Sequence, residues 1–144
     1  MKKKLIILLA SGFYSGYAPF ASGTFGTLVG ILIFIPFCFL SPLAYLVLLI
    51  LLTFFSFWVS GEAEKIFQKK DSGVIVIDEI VGYLVTMFLI PVSLANQHDV
   101  IHNFLPKVIL GFFLFRLTDI VKFPPARFID QKLTGGKGVV WMML

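Results

Sequence analysis

Long apolar runs alternate with short polar stretches along this chain, and the runs approach the length that crosses a bilayer. Phe25 to Leu40 reads as a first membrane helix and Leu43 to Ser60 as a second, with Ser41-Pro42 as the turn of a helical hairpin. Val74 to Leu94 is a third span, interrupted near its start by Asp78 and Glu79, and Phe104 to Val121 is a fourth. Gly61 to Gly73 and Ala95 to Asn103 are predicted polar loops. Ahead of the spans, three lysines precede an apolar run from Leu5 to Ala10 that resembles a signal sequence, but the run is short and no small-x-small cleavage site follows. Leu5 to Ala18 is therefore expected to stay as an interfacial or re-entrant segment. The expected fold is all-α, a polytopic helical membrane protein of about four transmembrane helices plus that N-terminal segment, in one domain over residues 1–144.

Composition excludes a soluble globule: 58% of residues are hydrophobic, 14% are charged and mean hydropathy is +0.96, whereas soluble domains carry about a quarter charged residues. The net charge of +4 does not point to nucleic acid, because the basic residues sit at the ends of apolar runs; anionic lipid headgroups are the expected partner. With the N-terminus inside, only Lys107 of the twelve Lys and Arg residues falls near the outer side. That orientation, in the cytoplasmic (inner) membrane, gathers Thr24, Asp78, Glu79, Asp119, Lys122, Arg127 and Asp130 at one cytoplasmic interface. Cys38, the single cysteine, allows no internal disulfide and no cysteine-cluster metal site; its thiol is lipid-facing or packed. A homo-oligomer is compatible with such a bundle.

The polar chemistry concentrates in FRLTDIVKFPPARFID, Phe115 to Asp130. Arg116, Asp119 and Lys122 are three apart and share a helix face. Phe123, ahead of Pro124, should end that helix near Lys122, and Pro125 suits the first turn of a second short helix in which Arg127 and Asp130 share a face. Asp119 falls at the negative end of its helix and needs a cation, for which Arg116, Lys122 or a metal ion are the candidates. Acids within an apolar span are costly, so Asp78 and Glu79 are functional candidates, with a solvated helix N-terminus as the alternative. Adjacent helical residues point about 100° apart, so one acid can bind a metal while the other orients a neighbour. Gly82, one turn on, would admit a close helix.

Gly26 and Gly30 form a GxxxG packing signal. Gly23-Thr24, just before it, offers a Thr cap and free N–H groups at a helix N-terminus, a ready phosphate site. His98 and His102 with Asp99 have metal-like spacing but fall in a loop on the opposite face, and TGGKG, Thr134 to Gly138, lacks the spacing of a phosphate-binding P-loop. Oxygen ligands without Cys or His favour a hard ion, Mg²⁺. Such an ion, with Lys122 and Arg127, would let a carboxylate cluster accept a phosphate, which fits phosphoester chemistry on a lipid headgroup.

Three stretches, GFYSGYAPFASGTFGTLVG, VIVIDEIVGYLV and FRLTDIVKFPPARFIDQKLTGGKG, resemble in order the motifs of the phosphatidylglycerophosphatase A family and cover most of the chain. The resemblance implies Mg²⁺-dependent hydrolysis of phosphatidylglycerophosphate, a phospholipid substrate in the membrane, to phosphatidylglycerol and phosphate. Asp78, Glu79, Asp119, Lys122 and Asp130 match the family's acidic and basic motif residues, and Gly23-Thr24 its Gly-Thr element. Taken with the reading of the residues, the expected roles are catalysis and metal binding for Asp78, Glu79, Asp119 and Asp130, and phosphate binding for Gly23, Thr24, Lys122 and Arg127, the last from its charge and not from the resemblance, with a metal-bound water or a carboxylate as nucleophile.

The chain departs from the family pattern in three places. Lys122-Phe123-Pro124-Pro125 replaces Lys-Pro-x-Pro, and Ser22 replaces the proline before Gly-Thr. Met142 and Met143 stand where the family has an Asp-Asp pair, and Leu144 precedes any further membrane helix. The expectation is a truncated, frame-shifted or degenerate member. The alternative reading is a non-catalytic membrane protein that binds anionic lipid or a partner. The DGxxAR…D motif of CDP-alcohol phosphotransferases is missing, which argues against that class.

Overall fold

A computed structural model describes residues 2–69, 72–90 and 100–121. Among them every regular element is helical: α1 (Lys2–Ala10), a 3₁₀ turn (Ser15–Tyr17), α2 (Ser22–Phe37), α3 (Pro42–Phe67), α4 (Ile77–Leu89), and a π-helical turn (Val100–Phe104) that leads into α5 (Leu105–Val121). The all-α expectation holds. Among the described residues α3 is the one helix long and apolar enough to cross a membrane, and α2 is a shorter apolar helix.

Local chemistry sets most boundaries. Ser41 caps α3, its side chain accepting from the Ala44 amide, and Pro42 occupies the first turn, where its missing N–H costs nothing. The predicted loop from Gly61 is corrected: α3 runs on through Phe67. Its last turns, GEAEKIF, are built mainly of good helix formers, and Glu62 pairs with Lys65 across one turn at 2.6 Å. Polarity there changes the residues that the helix carries without breaking the helix. Gln68, at φ 50°, ends it.

The core forms where α2, α4 and α5 close on small residues. Gly26 lies against Val76 and Gly30 against Tyr83, so the GxxxG is a packing face as expected. A Cβ on Gly82 would come 2.6 Å from the Phe115 ring, so this glycine sets the approach of α5 to α4. Buried Phe34 stacks on Phe104 and meets Tyr83 edge-on. Tyr45 and Tyr83 bury their rings and donate their hydroxyls to the carbonyls of Leu84 (2.8 Å) and Val108 (3.2 Å), which satisfies both polar tips. Cys38 packs against this core and its thiol donates to the Phe34 carbonyl.

The outer faces of α2, α3 and α5 remain apolar, with Leu32, Leu51, Phe54 and Phe113 all well exposed. The N-terminal segment is a short helix followed by a tight reversal in which Gly12, Phe13 and Tyr14 all take positive φ. Ser11 stabilises the reversal, accepting from the Tyr14 amide. The Val76 amide donates to the Ala10 carbonyl at 2.8 Å, and Gly16 lies against the Val74 backbone where no side chain would fit. The segment is thereby tied to the lead into α4.

Candidate functional site

Asp78 and Glu79 occupy the first turn of α4, where the helix dipole favours carboxylates. Arg116 and Asp119 lie on one face of the C-terminal half of α5. Because Gly82 lets α5 approach, Arg116 reaches across: its Nη1 is 3.2 Å from Glu79 Oε2 and 3.0 Å from Asp119 Oδ2. All three side chains are partly buried, Arg116 and Glu79 to 19% and 18% exposure and Asp119 to 31%. Among the described residues, two carboxylates share one guanidinium. Arg116 is thus the cation that Asp119 was expected to need.

The third wall is the start of α2. A Cβ on Gly23 would sit 2.8 Å from Glu79 Oε1 and 3.0 Å from Arg116 Nη1, so the backbone of the first turn lies directly on the ion pair. The expected Thr cap is corrected: α2 begins at Ser22, its cap position is Ala21, which has no side-chain acceptor, and Thr24 lies inside the helix with its amide bonded to the Ala21 carbonyl at 2.8 Å. The Phe25 amide bonds the same carbonyl. The amides of Ser22 and Gly23 have no intrahelical acceptor, so the positive end of α2 is turned to this corner of the bundle.

Asp78, half-buried beside Glu79, has its Oδ1 closed off from solvent. The structure therefore brings together Gly23, Glu79 and Asp119, with Thr24 one residue and Asp78 one residue away along their helices. Lys122, Arg127 and Asp130 lie outside the described residues, as do His98, the TGGKG stretch and Met142-Met143. His102 is exposed. What sequence reasoning left out of the site was Arg116 as a bridge to Glu79. Its spacing to Asp119 was the available signal, but a contact between α4 and α5 has no signature in the sequence of either helix.

The donor set is chemically suited to a hard cation: Glu79 and Asp119 present oxygen only, with Asp78 adjacent. Among the described residues no three such side chains are clustered closely enough to hold a metal. The arrangement can orient an anion through N–H donors of Arg116 and the α2 amides. It can also offer carboxylate oxygens for a cation or a proton.

Residues 8–141 match the family model described as phosphatidylglycerophosphatase A. A Bacteroides thetaiotaomicron protein with the provisional name phosphatidylinositol-3-phosphatase is 35% identical over 94% of this chain and 82% of its own. Proteins named phosphatidylglycerophosphatase A are similar too: one from Escherichia coli, 31% identical over 92% of this chain and 72% of its own, and one from Haemophilus influenzae, 35% identical over 94% and 77%. No solved structure matches.

Proposed function

We infer the function from one premise: this chain belongs to the phosphatidylglycerophosphatase A family. Its reaction is the hydrolysis of phosphatidylglycerophosphate to phosphatidylglycerol and phosphate at the corner where α2, α4 and α5 meet. The observation that carries this reading is Arg116 Nη1 held between Glu79 and Asp119 directly under the first turn of α2. Three segments far apart in sequence deliver to one point an anion-binding helix end, a guanidinium and carboxylates, the parts that phosphoryl transfer needs.

Within that corner the amides of Ser22 and Gly23 and the guanidinium of Arg116 receive the phosphate oxygens, with Lys122 and Arg127 assigned to the same task. Gly23 keeps the backbone close enough for its amide and the ion pair to act on one group. Glu79 and Asp119, with Asp78 and Asp130, are the residues that would hold Mg²⁺. When bound, the ion supplies charge neutralisation at phosphorus and acidifies a coordinated water. Glu79 and Asp119 hold Arg116 in place from two sides, so its charge is aimed before substrate arrives. An acid in this group takes the proton of the attacking water; the alternative is direct attack by a carboxylate.

The chain spans the inner membrane four times in this reading, with its N-terminus and site facing the cytoplasm. The length of α3 and the apolar outer faces of α2, α3 and α5 support it, as does the charge asymmetry. A lipid phosphatase gains from that placement, since the scissile phosphate lies at headgroup depth.

Purified protein incubated with phosphatidylglycerophosphate should release phosphate with Mg²⁺ and stop on adding EDTA, and Asp119→Asn should abolish release. Release that survives both chelation and Asp119→Asn would sink the mechanism. Met142 and Met143, in place of the family's acid pair, favour a second reading, a lipid-binding protein without turnover. Native mass spectrometry showing bound phosphatidylglycerophosphate with no hydrolysis on prolonged incubation would support that one instead.

A further inference from the structure

Away from the Arg116 corner, α1 and α3 diverge to leave a cleft of about 720 Å³, within the range of small-ligand sites. The two helices meet tightly at Ala10, Val59 and Ala63, all fully buried, and open towards the N-terminus of α1. Lys2, Lys3 and Lys65 line the cleft. Lys65 is paired with Glu62, whereas Lys2 and Lys3 have no ion-pair partner among the described residues. Glu62 and Gln68 add polar groups to the lining, and the rest of it is apolar: Leu5 and Trp58 are each 55% exposed although large and hydrophobic.

A second observation points to an anion. The first turn of α1 carries lysines and no acid, at the helix end whose dipole already presents positive charge. Cations crowded there repel one another and the dipole. An anion in the cleft would relieve both. Trp58 lies seven residues before Lys65 on α3, about 10 Å along the axis at 1.5 Å per residue. A tryptophan about 10 Å along the helix from Lys65 matches the step from phosphate depth to the top of the acyl chains.

We propose that the cleft between α1 and α3 is a binding site for an anionic glycerophospholipid, its phosphate on Lys2 and Lys3 and an acyl chain along Leu5 and Trp58. The site shares no residue with the Arg116 corner and does not rest on the phosphatase reading. Charge complementarity selects an anionic over a zwitterionic lipid, and the apolar floor selects a lipid over free phosphate.

The test uses the full chain in neutral detergent with Trp141→Phe, which leaves Trp58 as the single tryptophan. Lipids with brominated acyl chains are titrated in and Trp58 fluorescence is followed. Brominated phosphatidylglycerol should quench at a lower mole fraction than brominated phosphatidylcholine, and rising salt should narrow the gap. Inorganic phosphate should compete only weakly. Lys2→Gln with Lys3→Gln should move the anionic-lipid curve to a mole fraction about 25-fold higher, roughly five-fold per lysine. Lys65→Glu, which leaves the N-terminus intact, should shift it in the same direction. Identical curves for the two lipids in the parent protein would overturn the proposal, as would lysine variants that quench like the parent. Full competition by inorganic phosphate at millimolar concentration would replace the lipid with a soluble anion and overturn it equally. The salt and lipid comparisons need no lysine variant, so a variant that misfolds does not shelter the idea.

Discussion

Gly23→Ala separates the stability of this fold from the working of its candidate site. The added methyl would meet Glu79 Oε1 at 2.8 Å and Arg116 Nη1 at 3.0 Å, where ordinary contact begins at 3.4 Å, so the ion pair must retreat by roughly half an ångström. Both atoms are the far ends of long side chains, so the retreat costs less than overpacking a rigid core, about 1 kcal/mol rather than the 3 at the top of that range. Alanine also gains up to about 1 kcal/mol over glycine in a helix. The two effects nearly cancel, and the apparent melting temperature in detergent should stay within a few degrees of the parent. Activity has no such compensation. A displacement of this size in charge-bearing groups, with a methyl placed over the Gly23 amide, should lower kcat/KM for phosphatidylglycerophosphate by about 10- to 100-fold. Phosphate release and thermal unfolding measured on the same preparation check both halves. An alanine variant with the parent's kcat/KM would refute the argument that the α2 end and the Glu79–Arg116 pair act on one substrate group.

Three further outcomes follow from the same geometry. Arg116→Gln leaves Glu79 and Asp119 without their shared cation; because the carboxylates are only partly buried, the cost should be about 1–3 kcal/mol, less than for a fully buried pair, and thermal unfolding reads it. Arg116→Lys should restore little activity: Nη1 alone meets both carboxylates, which leaves the other guanidinium donors for phosphate oxygens, whereas a single ammonium must spend its donors on the carboxylates; kcat compared with the glutamine variant checks this. Two glycine substitutions should differ in sign: Gly82→Ala, set against the Phe115 ring, should destabilise by about 1–3 kcal/mol. Gly61→Ala, which meets nothing within 4 Å on α3, should stabilise by up to about 1 kcal/mol.

Features governed by local rules were legible in the sequence. The Ser41-Pro42 turn, the packing role of Gly26, Gly30 and Gly82, and a helix ending at Val121 follow from capping, side-chain size and apolar patterning, and the structure has them. Residues 61–67 misled because polarity suggests a loop, whereas Glu, Ala and Lys are good helix formers and the helix continues through them. Thr24 misled because a Thr near a helix start is a common cap, yet the backbone turns in at Ala21, whose φ of 49° starts the helix earlier. The site was half legible. Spacing placed Arg116 beside Asp119 and apolar context marked Glu79, but the contact between them is made by tertiary packing, which no single helix encodes.

The central claim is that Glu79, Arg116 and Asp119, under the first turn of α2, form a lipid-phosphate hydrolase site. Its most direct test is phosphate release from phosphatidylglycerophosphate by the purified chain and by Glu79→Gln, each shown to be folded by its melting transition. The account predicts turnover by the parent and a loss of at least about 100-fold in the variant. A folded parent with no turnover, or a Glu79→Gln protein that hydrolyses at the parent's rate, would contradict it.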